Sequence, residues 1–255
     1  MTCDIRIGTS GYHYRHWKGN FYPAEISTSG MLPYYLQYFD TLELNNTFYR
    51  LPTLPALKAW REAVPDDFVF AVKASRFLTH NKKLKKPENA LDNFLPRVET
   101  LGGKLGPILF QLPPKWKVNL ERLSEFLAAL PPKHRYVFEL RELSWISQPV
   151  LDLLKQHQAA FCIYEIAGYH SPLHVTADFA YVRLHGPAAS KYAGSYSDAQ
   201  LQKWAEWIDH RRTHLRAIYF YFDNDQAGYA AHNALTLRRM VSEKLGLSET
   251  LVPAA

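Results

Sequence analysis

Charged and polar side chains stand at the ends of otherwise apolar runs in this chain, and their types are those that move protons and hold anions. Glu43, Glu139, His185 and Asp223 are the acid–base candidates. A carboxylate sharing a low-dielectric site with a second carboxylate can have its pKa raised toward neutrality, and an imidazole titrates near neutral pH. Lys73, Arg141 and Arg183 are suited to holding a phosphate or carboxylate, the two arginines in bidentate fashion. Asn45, Gln111 and Asn224 add amides, and Tyr12, Trp17 and Tyr196 add rings able to stack on a sugar or base. Paired carboxylates alone fit glycoside chemistry, but the abundant arginine favours an anion over a neutral glycan. The expected chemistry is of the hydrolase or lyase type, on a small anionic ligand that contains phosphate or sugar.

Eight apolar runs must position these groups: 5–10, 42–47, 68–74, 107–112, 136–141, 161–166, 179–185 and 217–223. Side chains alternate faces along a strand, so parity sorts them. One parity joins Glu43, Asn45 and Thr47; another joins Val69, Ala71 and Lys73. Val137, Glu139 and Arg141 share a face, as do Tyr181, Arg183 and His185, and Tyr219, Tyr221 and Asp223. Unpaired buried charges are expensive, so such groups pair with one another or serve a ligand. A purely structural reading plugs the interior with ion pairs such as Glu43–Lys73 and Glu139–Arg183. Barrel cores, however, usually fill with branched apolar layers rather than this many charges.

Helical patterns alternate with the strands, at 31–39, 54–64, 88–101, 120–130, 147–157, 199–212 and from Asp225 or Gln226 to about Leu245. Ser197-Asp198 is a natural cap for the sixth of these. The connection from Glu165 to Asp178 holds Gly168 and Pro172 and little helical signal. The alternation predicts an α/β fold, a TIM (β/α)8-type barrel forming a single domain over 1–255, with its sixth helix reduced or absent. Barrel chemistry is done where the strands end, which is where the polar groups stand.

Two other readings stay open. Glu139, Glu165, His185 and Asp223 come from strands five to eight and form a candidate divalent-metal set, as in isomerase or endonuclease barrels. Arg141 and Arg183 stand close by and would repel a cation unless paired. No cofactor is otherwise predicted. The third reading is a nucleotide- or nucleic-acid-binding module. It draws on the lysines of the 82–86 run, the aromatic stretch from Tyr12 to Tyr22 and a sequence pI of about 9.1. That run is read either as a solvated, mobile loop or as an anion-attracting lip.

The 255 residues carry a formal charge of +6, 47% apolar residues and two cysteines. Cys162 lies in an apolar run and Cys3 near the start, and neither has metal-ligand spacing. No uncharged apolar stretch is long enough for a membrane span, and the opening residues lack the regions of a signal peptide. A soluble cytoplasmic protein with no membrane partner is expected.

Eight strings in order carry a resemblance: 8–12 GTSGY, 17–23 WKGNFYP, 43–49 ELNNTFY, 72–75 VKAS, 110–114 FQLPP, 138–141 FELR, 181–186 YVRLHG and 222–225 FDND. Together they resemble the YecE-like proteins, domain of unknown function 72, over about 5–245. The resemblance implies a TIM-barrel fold and no established reaction. Members often have Asn where Asp223 stands, and an Asp is common near the end of the sixth strand, where this chain has Tyr164-Glu165-Ile166.

Overall fold

The computed structural model describes residues 2–246. Nine strands and eight helices alternate along them. The strands are β1 (Asp4–Thr9), β2 (Thr41–Leu44), β3 (Val69–Lys73), β4 (Leu105–Gln111), β5 (Tyr136–Glu139), β6 (Ala160–Ile166), β7 (Tyr169–His170), β8 (Phe179–Leu184) and β9 (Ala217–Phe222). The helices are α1 (Met31–Tyr35), α2 (Asn46–Tyr49), α3 (Leu54–Ala63), α4 (Glu88–Val98), α5 (Leu120–Ala128), α6 (Gln148–Gln156), α7 (Asp198–Arg212) and α8 (Tyr229–Leu245). Strand order runs β1-β9-β8-β6-β5-β4-β3-β2, with β7 set off against β6. The pairings β1–β9, β3–β4, β4–β5 and β5–β6 are parallel. Ser10 bridges Glu43 in parallel fashion, which brings the first and last strands of that order together. This is the eight-stranded parallel arrangement of a TIM-like barrel.

The chain packs as two compact units. Of the described residues, one holds 2–43, Tyr164–Pro172 and 182–246; the other holds Leu44–Ile163 and Leu173–Tyr181. In the first unit, β1 and β9 run in register from Asp4 opposite Ala217 to Thr9 opposite Phe222. Every residue of β9 is buried, as a strand covered on both faces requires. α7 begins with a capping box: Ser197 accepts from the Gln200 amide while the Gln200 side chain accepts from the Ser197 N–H. In the second unit, β4 and β5 pair from Ile108 opposite Tyr136 to Gln111 opposite Glu139. Phe110 and Phe138 stack there with ring centres 5.3 Å apart, and Phe126 of α5 meets Phe110 edge-on.

Two local features depart from the periodic reading, and a third, the connection between β6 and β8, agrees with it. β2 ends at Leu44, and Asn45 turns into α2, so Thr47 lies on a helix rather than on the face of Glu43. Its hydroxyl donates to the Leu44 and Lys73 carbonyls instead. Between β6 and β8 no helix stands among the described residues; β7 folds back antiparallel on β6, pairing Glu165 with His170. α8 starts at Tyr229 rather than at Asp225 or Gln226, because Ala227 and Gly228 have φ of 53° and 77° and cannot continue a right-handed helix. No described helix is long and apolar enough to cross a membrane. Cys162 is buried and Cys3 partly so, and no disulfide joins them.

Candidate functional site

In the first unit the ends of β1, β2, β8 and β9 converge on one buried charged cluster. Arg183 is its centre and is fully buried, as are Glu43 and His185. The guanidinium grips Glu43 in a fork: Nε lies 3.1 and 3.0 Å from its two carboxylate oxygens and Nη2 lies 2.8 Å from Oε1. Nη2 also donates to Asp223 Oδ2 at 2.9 Å and to Ser10 Oγ at 3.3 Å. Ser10 in turn donates to Glu43. Nη1 lies 3.3 Å from His185 Nε2. A guanidinium only donates, so Nε2 accepts and the ring hydrogen belongs on Nδ1, 2.9 Å from Asp223 Oδ2. Two carboxylates, those of Glu43 and Asp223, meet this one guanidinium. Asp223 is its outermost acid, 8% exposed.

The surroundings feel that charge. The Tyr14 phenol is held well above its ordinary pKa, first by burial and then by Asp223, Asp225 and Glu43. Asp225 is raised by burial and by Asp223, with His16 acting in the opposite direction. The Asp225 carbonyl accepts from Trp17 Nε1 at 2.7 Å and lies 2.8 Å from His16 Nε2, which ties the aromatic segment after β1 to the chain after β9.

Two expected stacking roles are corrected here. Trp17 is fully buried and Tyr196 is 3% exposed, so neither offers a ring face to a ligand. Trp17 is a strut for Asp225. Tyr196 accepts from the Gly186 N–H, its phenol raised by burial and by Glu165. Tyr12 is half-buried and stacks on His13. Asn224 donates to the Gly194 carbonyl and to Asn233 Oδ1, both at 2.9 Å. Its own Oδ1 has no hydrogen-bond partner among the described residues, although the residue is fully buried. Such an acceptor costs about 1–3 kcal/mol unless something donates to it.

The second unit holds the remaining candidates at the ends of β3, β4 and β5. Glu139, fully buried, is bonded by Nε of Arg141. Lys73 Nζ sits 4.6 Å from the centre of the Phe48 ring, and Gln111 is half-buried. Asn45 Oδ1 is a second buried acceptor with no partner among the described residues. The His80 imidazole is pushed below its usual pKa by burial and then by Lys73, Arg76 and Arg141, which marks this region as electropositive.

Glu43 pairs with Arg183, and Glu139 pairs with Arg141. The expected divalent-metal set is not formed. Among the described residues no group of three or more His, Cys, Asp or Glu side chains is placed to hold a metal ion. Glu165 lies 3.1 Å from His170 Nδ1, and Arg183 takes the position between Glu43 and Asp223 that a cation would need. Sequence reasoning passed over Ser10 and Asp225. Ser10 was within reach, because it closes β1 one residue after the last paired position.

UPF0759 protein YunF of Bacillus subtilis is 24% identical over 264 residues, covering 90% of this chain and 92% of that protein. UPF0759 protein YecE of Escherichia coli K12 is 32% identical over 108 residues, 42% of this chain, and the match spans only 40% of that relative's length. The crystal structure of a DUF72 family protein from Thermotoga maritima superposes with a TM-score of 0.84 at 28% identity, covering 94% of this chain and 99% of that one. The model of the family described as protein of unknown function DUF72 matches residues 6–254, and the chain belongs to that family.

Proposed function

We propose that this chain is an enzyme of the hydrolase or lyase type that acts on a small anionic ligand containing phosphate or sugar, with Asp223 as the proton-transferring group. The observation that carries the reading is the placing of Asp223. It is the outermost acid of a cluster in which Arg183, Glu43 and His185 are fully buried; Arg183 Nη2 donates to its Oδ2, and His185 Nδ1 lies 2.9 Å from the same oxygen. An acid–base group needs a fixed orientation and access to the reacting proton, and this arrangement supplies both. His185, neutral on Nε2, acts as a positioning residue. Glu43 keeps Arg183 in place.

The anionic character of the ligand rests on the sequence, which closes its apolar runs with Lys73, Arg141 and Arg183. The buried acceptor Asn224 Oδ1, in the same unit as Asp223, favours a ligand that also brings hydroxyl donors. The test is a turnover screen of the purified protein against phosphate esters, sugar acids and neutral glycosides. Consumption confined to anionic compounds supports the proposal; turnover of the neutral glycosides alone, or of no anionic compound in the panel, overturns it.

A further inference from the structure

The lysine run after β3 is a built structure rather than a loose arm. Leu84 is buried, its N–H donating to the Leu78 carbonyl at 3.0 Å, and the Lys82 N–H donates to the Phe77 carbonyl at 2.8 Å. Lys83, Leu84 and Lys86 hold φ of 48°, 62° and 45°, a left-handed backbone that non-glycine residues adopt only when their surroundings impose it. The preceding turn, Phe77–Asn81, is π-helical, a distortion frequent at functional sites.

This segment borders a cavity of about 430 Å³ in the second unit, within the roughly 300–1,000 Å³ usual for small-molecule sites. Its apolar wall is Leu78, Phe94 and Phe77, and the Phe77 ring is 47% exposed, unusual for so large an apolar group. Lys82 and Lys86 stand on its border, Lys82 Nζ 5.5 Å from the centre of the Phe77 ring. Asn89 of the first turn of α4 also lines it, and that helix begins at Pro87 with no side-chain cap on its first N–H groups. Uncapped helix N–H groups and lysines both attract phosphate. One molecule able to use all of these must carry a phosphate close to a flat ring.

We propose that this cavity binds a nucleoside monophosphate, its phosphate between Lys82, Lys86 and the start of α4, its base against Phe77. Asn93, whose Oδ1 accepts from Arg97 at 3.2 Å, turns its amide nitrogen to donor use. A single-stranded nucleic acid is the less fitting occupant, because it needs successive aromatic platforms along a cationic track, and one exposed ring lines this cavity. None of its residues belongs to the Asp223 cluster, and nothing in it depends on turnover.

Titration calorimetry of the full chain tests it, with adenosine 5′-monophosphate, adenosine, inorganic phosphate and a short oligothymidylate as probes. The monophosphate is expected to bind more tightly than adenosine or phosphate alone. Lys82→Ala and Lys86→Ala should each weaken it about tenfold or more, and Phe77→Ala by about five- to a hundredfold. All three side chains are exposed, so thermal unfolding of the variants should match the parent. Absence of binding at millimolar nucleotide, unchanged affinity in the three variants, or tighter and steeply salt-dependent binding of the oligothymidylate would each overturn it.

Discussion

Replacing Arg183 with Met is the perturbation whose size the structure fixes best. The side chain is fully buried and makes four close contacts with two carboxylates, three to Glu43 and one to Asp223, at 2.8–3.1 Å. Methionine fills most of the volume but takes the guanidinium away from both acids. Removing one partner of a buried ion pair costs about 3–5 kcal/mol, and the loss of its bonds to two carboxylates places this case at about 4 kcal/mol or more. In a chain of this size each kcal/mol lowers the melting temperature by about 2–4 °C, so the expected drop is about 8–16 °C. Arg183→Lys should recover part of it, since an ammonium supplies the charge but not the fork. The deficit of Arg183→Met should shrink on acidification toward the ordinary carboxylate range, where protonation neutralises the two acids. Urea unfolding at several pH values reads all three effects. The exposed pair Arg239–Glu243 is the control, and its removal should cost about 0.5 kcal/mol or less. An Arg183→Met protein within about 1 kcal/mol of the parent would refute the reasoning.

Three further outcomes follow from single residues. Gly186 has φ of 100°, and a Cβ there would meet the Ala193 carbonyl oxygen at 2.2 Å; Gly186→Ala should cost about 1–3 kcal/mol or more in urea unfolding. Trp17→Phe removes the donor to the Asp225 carbonyl and should lower stability by about 1 kcal/mol in the same assay. Asp225 has a folded pKa above its unfolded value, so its stabilising contribution is present at acid pH and is lost as pH rises through the folded value. Asp225→Asn should therefore raise the urea midpoint at neutral pH, with the gain disappearing near about pH 3, below the unfolded value.

The strand ends were legible because a buried parallel strand reads as an apolar run, and a charge closing such a run stands out. Glu43, Glu139, Arg183, His185 and Asp223 were found that way. The pairing of Glu43 with Arg183 was not, because parity says which face a side chain takes and nothing about which neighbour it meets. Arg183 reaches Glu43 across 140 positions, a distance no local pattern spans. Thr47 was misplaced because Asn45 and Asn46 open a helix where the alternation continued on paper. Trp17 and Tyr196 were read as ligand platforms because aromatic residues in loops carry no sequence mark of burial. The lysine run is held by the one apolar residue inside it, Leu84.

The central claim is that Asp223, bonded by Arg183 and beside His185, transfers the proton. The direct measurement is kcat/KM of Asp223→Asn against the parent on the first anionic compound found to turn over. Asparagine keeps the shape and an acceptor oxygen but cannot exchange a proton. A loss of about 10²–10⁴-fold in a variant that still melts within a few degrees of the parent is predicted. An unchanged kcat/KM would contradict the account.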